Sequence, residues 1–241
     1  MKDNGSWVGP SEVWHVGGIR NEDWQEILFG DGFDVLPAPE DLNTAYAMYQ
    51  GGGLSRIDLR NGDGTSVQPV PHDTTALRFA WNAAIAADPF DANGVYFGSQ
   101  FMHHSTDRGN TWVIKSPDLT TNDSEKQNQA ESGGLTIDAT KAENHCTILC
   151  IAPNPLREGE IWVGTDDGRI QHTTDGGATW TDHAASIKRF PQGAWIPQIH
   201  VSPHDADEVY IVVNDYRRNN WQPYLYRTTD GGESWVRLVL E

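Results

Sequence analysis

An octapeptide that occurs three times constrains the fold of this chain more than any other feature. Its copies are STDRGNTW at residues 105–112, TTDGGATW at 173–180 and TTDGGESW at 228–235. Each copy has a hydroxyl residue at its first and seventh positions, Asp at the third, Gly at the fifth and Trp at the eighth. Asp accepts hydrogen bonds from turn amides, Gly adopts a positive φ, and Trp begins the return strand. The octapeptide therefore predicts a hairpin turn between antiparallel strands.

The residues that precede each octapeptide repeat as well, because a short apolar run ends in proline and a strand-like segment follows. The prolines are Pro89, Pro153 and Pro203, and the strand-like segments are 95–98, 161–164 and 209–212. A fainter copy, without the Trp, has an apolar run to Pro37 and strand-like segments at 45–48 and 55–58. Strand-rich units of about 50 to 65 residues are typical of propeller blades. We therefore predict an all-β fold of about four four-stranded blades.

The pattern also gives approximate boundaries. We expect a single propeller segment over residues 1–241, with blades at about 13–71, 72–115, 145–183 and 195–241. A polar link at 115–144 separates the second blade from the third, and a link of this length without apolar periodicity is either functional or disordered. Helix is nearly absent, and only 21–28 and 184–189 are candidates for it.

The charge of the chain narrows the classes of partner. The formal net charge is −17 and the pI is about 4.7, and the sequence shows no basic patch. Nucleic acids and anionic membranes would be repelled by such a chain. The sequence also has no apolar run of the length that a membrane helix needs. We therefore expect no nucleic-acid partner and no membrane segment in this chain.

The chain has two cysteines, Cys146 and Cys150. In a strand their Cα atoms would lie about 13 Å apart, which is too far for a disulfide. We predict two buried, free thiols that pack as small apolar groups. A metal site built on His145 and Cys146 lacks a second ligand pair of recognisable spacing. We therefore predict no metal and no cofactor.

The octapeptides themselves are predicted to be structural. A carboxylate that accepts several turn amides is held in its charged form and is a poor acid, base or ligand for anything else. The predicted structural residues are Asp107, Gly109, Trp112, Asp175, Gly177, Trp180, Asp230, Gly232 and Trp235.

A functional surface is expected at the opposite end of the blades. If the octapeptides join the third and fourth strands, the turns between second and third strands and the links between blades lie at the other end. Arg and Trp there offer a planar donor and a stacking face, and a histidine could shuttle a proton. The predicted binding residues are Trp24, Arg78, Trp81, Asn82, Glu143 and His145.

Hydrolysis of a glycoside would need two carboxyl groups about 5 to 10 Å apart with different pKa values. The densest acidic and aromatic stretch runs from Glu22 to Asp34 and includes Trp24, which could stack on a sugar ring. The candidate catalytic residues are Asp23, Glu26 and Asp31.

The three octapeptides resemble the Asp box, or bacterial neuraminidase repeat. Further segments are similar to microbial proteins of the sortilin (VPS10) type: DNGSW at 3–7, GDGF at 30–33, LRFAWN at 77–82, SPDLT at 116–120 and ENHCT at 143–147. The resemblance implies a many-bladed propeller that is secreted or periplasmic and is often labelled glycosyl hydrolase. It also implies that residues 1–241 are a segment of a larger ring. It implies no particular reaction, because the Asp box occurs in sialidases, xyloglucanases and non-catalytic receptors alike.

Two hypotheses for function follow. The first is a propeller that binds a protein, peptide or glycan with the loops opposite the octapeptides. The second is a glycoside hydrolase that uses paired Asp and Glu carboxylates.

Overall fold

The computed structural model describes residues 4–71, 73–128 and 144–239. These residues form four four-stranded antiparallel sheets, named blades 1 to 4, and one two-stranded sheet. The two-stranded sheet consists of β1 (Ser6–Val8) and β2 (Gln25–Leu28). Blade 1 consists of β3 (Val35–Pro37), β4 (Thr44–Tyr49), β5 (Gly53–Asp58) and β6 (Asp63–Ser66). Blade 2 consists of β7 (Ile85–Ala87), β8 (Val95–Gly98), β9 (Met102–Ser105) and β10 (Val113–Ile114).

Blade 3 consists of β11 (Ile148–Pro153), β12 (Ile161–Thr165), β13 (Ile170–Thr173) and β14 (Thr181–Asp182). Blade 4 consists of β15 (Trp195–Val201), β16 (Val209–Asp215), β17 (Asn220–Thr228) and β18 (Val236–Arg237). In every blade the strands pair in chain order. The first strands of successive blades, β3, β7, β11 and β15, contact one another. The sheets therefore stand side by side around their first strands, and the predicted all-β propeller fold is confirmed.

Alternation along the second strands divides the core into layers between blades. In β12, Ile161 and Val163 pack into the apolar cluster between blades 2 and 3, whereas Trp162 packs into the cluster between blades 3 and 4. Successive side chains of a strand point to opposite faces. Because both faces are covered, every residue of β12 is buried. The second strand of a blade therefore requires apolar side chains on both of its faces.

A glycine near the end of the second strand, at the side opposite the octapeptides, lets neighbouring blades approach closely. A Cβ atom on Gly98 would lie 2.8 Å from Cγ2 of Ile148 in the first strand of blade 3. A Cβ atom on Gly164 would lie 2.6 Å from Cγ2 of Ile196 in the first strand of blade 4. A side chain at either glycine would push the next blade outward. Gly98 in blade 2 and Gly164 in blade 3 therefore have the same role.

The turn octapeptides join the third and fourth strands of blades 2, 3 and 4. In blade 3, Asp175 accepts hydrogen bonds from Thr179 N at 2.8 Å, Thr179 Oγ1 at 2.6 Å and Thr173 Oγ1 at 2.8 Å. These bonds lower the pKa of Asp175 to about 2, and Thr179 is the largest contributor. The other two turns repeat the pattern around Asp107 and Asp230. The carboxylates are thus committed to their own turns.

The tryptophans of the octapeptides are half-buried and reach the neighbouring blade. Trp112 Nε1 donates to Val67 O of the preceding blade at 2.8 Å, and Trp180 Nε1 lies 3.4 Å from Lys115 O. Gly177 has a φ of 96°, and a Cβ atom there would lie 2.1 Å from the same Lys115 carbonyl. The glycine therefore provides both the turn conformation and the space for the preceding blade.

Two details differ from the sequence prediction. The candidate helix at 21–28 is wrong beyond its first residues, because only Asn21–Asp23 forms a 3₁₀ helix and Gln25–Leu28 pairs as a strand with β1. The candidate at 184–189 contains a 3₁₀ helix at Ala184–Ser186. A third 3₁₀ helix, Tyr216–Arg218, was not predicted. Among the described residues, no helix has the length and hydropathy that a membrane crossing requires.

Candidate functional site

The end of the blades opposite the octapeptides, named the mouth end, carries the turns between second and third strands. In blade 4 this turn holds an exposed aromatic cluster. Trp221 is 74% exposed and Tyr216 is 43% exposed, and their rings lie 6.0 Å apart in a stacked arrangement. The guanidinium of Arg217 lies 3.4 Å from the ring centroid of Trp195 and 4.5 Å from that of Tyr216. We name these four residues the aromatic platform.

Local hydrogen bonds hold the aromatic platform in place. Asp215, the last residue of β16, accepts a bond from Arg218 Nε at 2.5 Å and one from Asn220 Nδ2 at 2.9 Å. Asn219 has a φ of 61°, which closes the turn, and its side-chain oxygen accepts a bond from Trp221 Nε1 at 3.1 Å. Asparagine tolerates this left-handed conformation better than most residues. The platform is therefore a fixed surface of aromatic faces.

A cavity of about 370 Å³ lies over the first strands of the blades. Its polar lining residues are Asp34, Asn82 and Gln198, and the others come from β7, β11, β15 and the residues beside them. Asp34 is an exposed residue, yet the protein around its carboxyl desolvates it in part and raises its pKa above the ordinary value. Asp34 is thus an acidic group in a cavity that holds its proton more strongly than an ordinary aspartate does.

Two of the predicted binding residues serve the fold. Arg78 donates from Nε to Cys146 O at 3.1 Å and from Nη2 to Asp118 Oδ2 at 2.6 Å, so it ties the entry of blade 3 to the link that leaves blade 2. Trp81 is half-buried, and its Nε1 donates to Asp31 Oδ2 at 2.9 Å. Asn82, by contrast, is exposed and lines the cavity.

The candidate catalytic residues have three different environments. Asp23 lies in the first 3₁₀ helix and accepts a bond from Arg20 N at 2.7 Å. Glu26 is an exposed residue of β2, and Asp31 is only 4% exposed, bonded to Trp81. None of the three lines either cavity described in this section. The predicted sugar-stacking residue Trp24 is 48% exposed and lies against Gly9.

Glu143 lies outside the described residues, whereas His145 lies in a buried cluster with Cys146 and Asp167. One nitrogen, sulfur or oxygen atom from each of the three lies within 4.8 Å of the others. Both cysteines are free, as predicted, but only Cys146 is buried, whereas Cys150 is half-buried. Desolvation raises the pKa of Cys146 above the ordinary value and that of Cys150 to about 12. Burial likewise lowers the pKa of His145.

A second acid, Asp166, lies beside this cluster in the turn between β12 and β13. Its carboxylate accepts bonds from Thr147 N at 2.9 Å and Thr147 Oγ1 at 2.8 Å. Burial, and secondly the charge of Asp167, raises the pKa of Asp166 to about 8. Asp166 and Asp167 follow one another in this turn, and both residues are buried.

A smaller cavity of about 170 Å³ lies between blades 2 and 3 at the octapeptide end. Its lining includes Asp88, which accepts bonds from Tyr96 Oη at 3.0 Å and lies 3.0 Å from His104 Nε2. The rings of Tyr96 and His104 stack at 4.3 Å. These three groups therefore satisfy one another's hydrogen-bonding capacity.

Sequence reasoning missed the aromatic platform and Asp167, and it included Asp34 only as the last residue of the acidic stretch that begins at Glu22. A signal for the platform was present, since DYRRNNW at 215–221 places two aromatic residues and two arginines between strand-like segments. The position of Asp34 directly before the first strand was also readable. Asp167 offered no local signal, because its proximity to His145 depends on how β12 pairs with β11.

No family model matches the chain. Among curated proteins, an oligoxyloglucan-reducing end-specific xyloglucanase of Emericella nidulans is 24% identical over 225 residues, which are 87% of this chain and 24% of that protein. A probable enzyme of the same name from Neosartorya fischeri is 27% identical over 92 residues, covering 36% of this chain and 10% of that protein. The chain thus spans about a quarter or less of the length of these relatives.

Solved structures include propellers of two kinds. YCF48 from Cyanidioschyzon merolae has a TM-score of 0.51 at 15% identity, over 90% of this chain and 63% of that chain. An ancestral GH74 enzyme has a TM-score of 0.45 at 15% identity, over 86% of this chain and 31% of that chain. The likeness to YCF48 shows the fold alone. The sortilin part of the expected resemblance is not shown, and the sequence relatives identify the chain as related to glycosyl-hydrolase-like β-propeller proteins.

Proposed function

We propose that this chain is part of a glycoside-hydrolase-related propeller protein and binds a neutral polysaccharide at its mouth end. The observation that carries the proposal is the aromatic platform, where the exposed rings of Tyr216 and Trp221 stack and Arg217 contacts both Tyr216 and the further ring of Trp195. The apolar C–H face of a sugar ring packs on such surfaces, and neighbouring hydroxyl groups take hydrogen bonds from a guanidinium. Of the ligands that the sequence left open, the platform favours a glycan.

Charge selects among glycans. The chain carries a formal net charge of −17, and an acidic polysaccharide would have to approach against this field. A neutral glucan meets no such barrier. The curated relatives are xyloglucanases by name, which supports a substituted neutral glucan as the first probe. We therefore choose xyloglucan oligosaccharides for the binding test.

We expect Trp221→Ala to lower the affinity for xyloglucan oligosaccharides about fivefold to tenfold. The change removes one stacking face, and an aromatic contact of this kind contributes about 1 kcal/mol. Trp221 is 74% exposed, so the fold should tolerate its loss. Isothermal titration calorimetry measures the affinity.

The matched control for this test is Trp14→Ala. Trp14 is fully exposed and lies outside the aromatic platform, so its removal should leave the affinity unchanged. Equal affinity of the Trp221 variant and the unmodified chain would contradict the proposal, as would an equal loss in the Trp14 variant. Binding of unrelated peptides in place of the oligosaccharide would favour the peptide-binding hypothesis instead.

A second candidate function is hydrolysis, and the raised pKa of Asp34 in the first-strand cavity favours it. In this proposal Asp34 donates a proton to the leaving glycosidic oxygen. Among the residues that the structure describes, Asp34 is the one acid that lines this cavity, so the second carboxylate that glycoside hydrolysis requires would come from elsewhere in the protein.

We expect Asp34→Asn to lower xyloglucan hydrolysis by about 10²-fold to 10⁴-fold without weakening binding, because it removes the proton donor and keeps the shape. Release of reducing ends measures hydrolysis. Glu12→Gln, which changes an exposed acid outside the cavity, is the control and should retain full activity. If the unmodified chain shows no detectable hydrolysis of xyloglucan, the catalytic role of Asp34 is contradicted, and only the binding function remains.

A further inference from the structure

We propose that His145, Cys146 and Asp167 form a binding site for a zinc-like divalent transition metal at the entry to blade 3. All three residues are buried, and one ligand atom from each lies within 4.8 Å of the others. The Nδ1 atom of His145 lies 3.4 Å from the sulfur of Cys146. The sequence predicted no metal because His145 and Cys146 stood alone, and the fold now supplies a third ligand from the turn between β12 and β13.

The backbone holds the ligands in this arrangement before any ion binds. Thr147 N and Oγ1 donate to the Asp166 carboxylate, and Asp166 N donates back to Thr147 O at 3.1 Å. This double attachment fixes the residue after Cys146 against the residue before Asp167. The Cys146 carbonyl is held in turn by Arg78 Nε at 3.1 Å. A binding site whose supporting residues are fixed loses less entropy when its ligand binds.

The conformation of Cys146 also points to a built site. Its φ is 61°, a left-handed value that side-chain-bearing residues rarely adopt. Such a conformation is strained and persists where the surrounding structure requires it, frequently at ligand sites. Here it turns the cysteine sulfur toward the histidine that precedes it in the chain.

Asp167 retains capacity to bind an ion. Its carboxylate accepts bonds from Thr121 N and Thr121 Oγ1, both at 2.7 Å, and from Thr165 Oγ1 at 2.6 Å. A carboxylate has about four acceptor positions, so these three donors leave about one. The three donors are neutral groups, and a divalent ion would add the positive charge that a buried carboxylate favours.

The ligand set indicates the class of ion. One imidazole nitrogen, one thiolate and one carboxylate oxygen suit zinc and related transition metals, whereas magnesium and calcium prefer oxygen ligands alone. A thiolate and a carboxylate together balance the charge of a divalent ion. The Thr121 hydroxyl, 3.6 Å from the sulfur, and the Asp123 carbonyl, 4.0 Å from it, are the nearby oxygens that could complete a tetrahedral site, as could a water molecule.

Cobalt(II) titration of chelator-treated protein tests the proposal, because cobalt bound by a thiolate gives a charge-transfer absorption in the near ultraviolet. We expect one equivalent of cobalt to produce this band and zinc to displace it. The band should disappear in Cys146→Ser, and cobalt affinity should fall at least tenfold in Asp167→Asn and in His145→Gln. Cys150→Ser is the matched control, since this thiol lies outside the cluster and should leave the band unchanged.

The competing interpretation is a cluster that only packs and hydrogen-bonds. It predicts no thiolate band in the unmodified protein, and that result would overturn the proposal. A band that survives Cys146→Ser, or one that is lost only in Cys150→Ser, would overturn it as well. If Cys146→Ser fails to fold by circular dichroism, the two milder variants decide: cobalt affinities within twofold of the unmodified protein would reject the site.

Discussion

Replacement of Trp162 by alanine is expected to lower the free energy of unfolding by about 4 kcal/mol. Trp162 is 0% exposed and belongs to the apolar cluster between blades 3 and 4. Its ring stacks on His172 at 3.7 Å and meets the ring of Trp235 edge-on at 5.9 Å. Alanine would leave a cavity, and the paired strands on both sides of it cannot move together to fill the space. The free-energy cost of the cavity adds to the cost of the lost apolar burial.

Urea denaturation followed by circular dichroism measures this change. The comparison is Trp221→Ala, which removes the same side chain from a position that is 74% exposed and should alter stability by no more than about 0.5 kcal/mol. A loss below about 1 kcal/mol in the Trp162 variant would mean that the contact between blades 3 and 4 contributes little. In that case the core would not be layered as described.

The stability of the protein is expected to fall by about 3 kcal/mol through His103 alone as the pH drops from 7 to 4. His103 is 2% exposed, and burial lowers its pKa to about 4. In the unfolded chain its imidazole titrates near 6.5. Between the two pKa values His103 is protonated in the unfolded chain and neutral in the folded protein. Lowering the pH through this range therefore favours unfolding. Above pH 6.5 both states are neutral and the effect vanishes.

His103→Gln isolates this contribution. The glutamine amide can bond Ser99 Oγ, which lies 2.8 Å from His103 Nε2, and it does not titrate. Burial also lowers the pKa of His145 and His183, so the variant should still lose stability in acid, with a shallower slope. Urea midpoints between pH 4 and 8 give both slopes. Parallel slopes would show that His103 takes up its proton equally well in the folded protein.

Much of the fold was readable because its signals are local. The strand-like segment at 95–98 coincides with β8 (Val95–Gly98), and the segment at 161–164 lies within β12. Each depends only on residue alternation and on the turn that follows. The segment at 21–28 was misread because its acidic start does form a 3₁₀ turn, while the pairing of Gln25–Leu28 with β1 depends on residues far back in the chain.

The candidate site was less predictable because it depends on contacts between blades. Arg78, a predicted binding residue, bonds Cys146 and Asp118, respectively 68 and 40 residues along the chain. The carboxylate of Asp31, a catalytic candidate, accepts a bond from the Trp81 indole 50 residues away. No spacing rule predicts such partners. Three residues of the aromatic platform lie in the segment 215–221, and the fourth is Trp195. The sequence did not show that Trp221 would remain exposed.

The indole of Trp112, which donates to the main chain of the blade before it, couples the sheets in a particular order. Blades 1, 2 and 3 are each contacted by the octapeptide tryptophan of the blade that follows, in addition to the contacts between first strands, so cohesion passes between neighbouring blades. Local opening of one blade would therefore release the bracing of the blade before it and leave more distant blades intact. One contact between neighbouring blades can therefore open while the other blades remain folded.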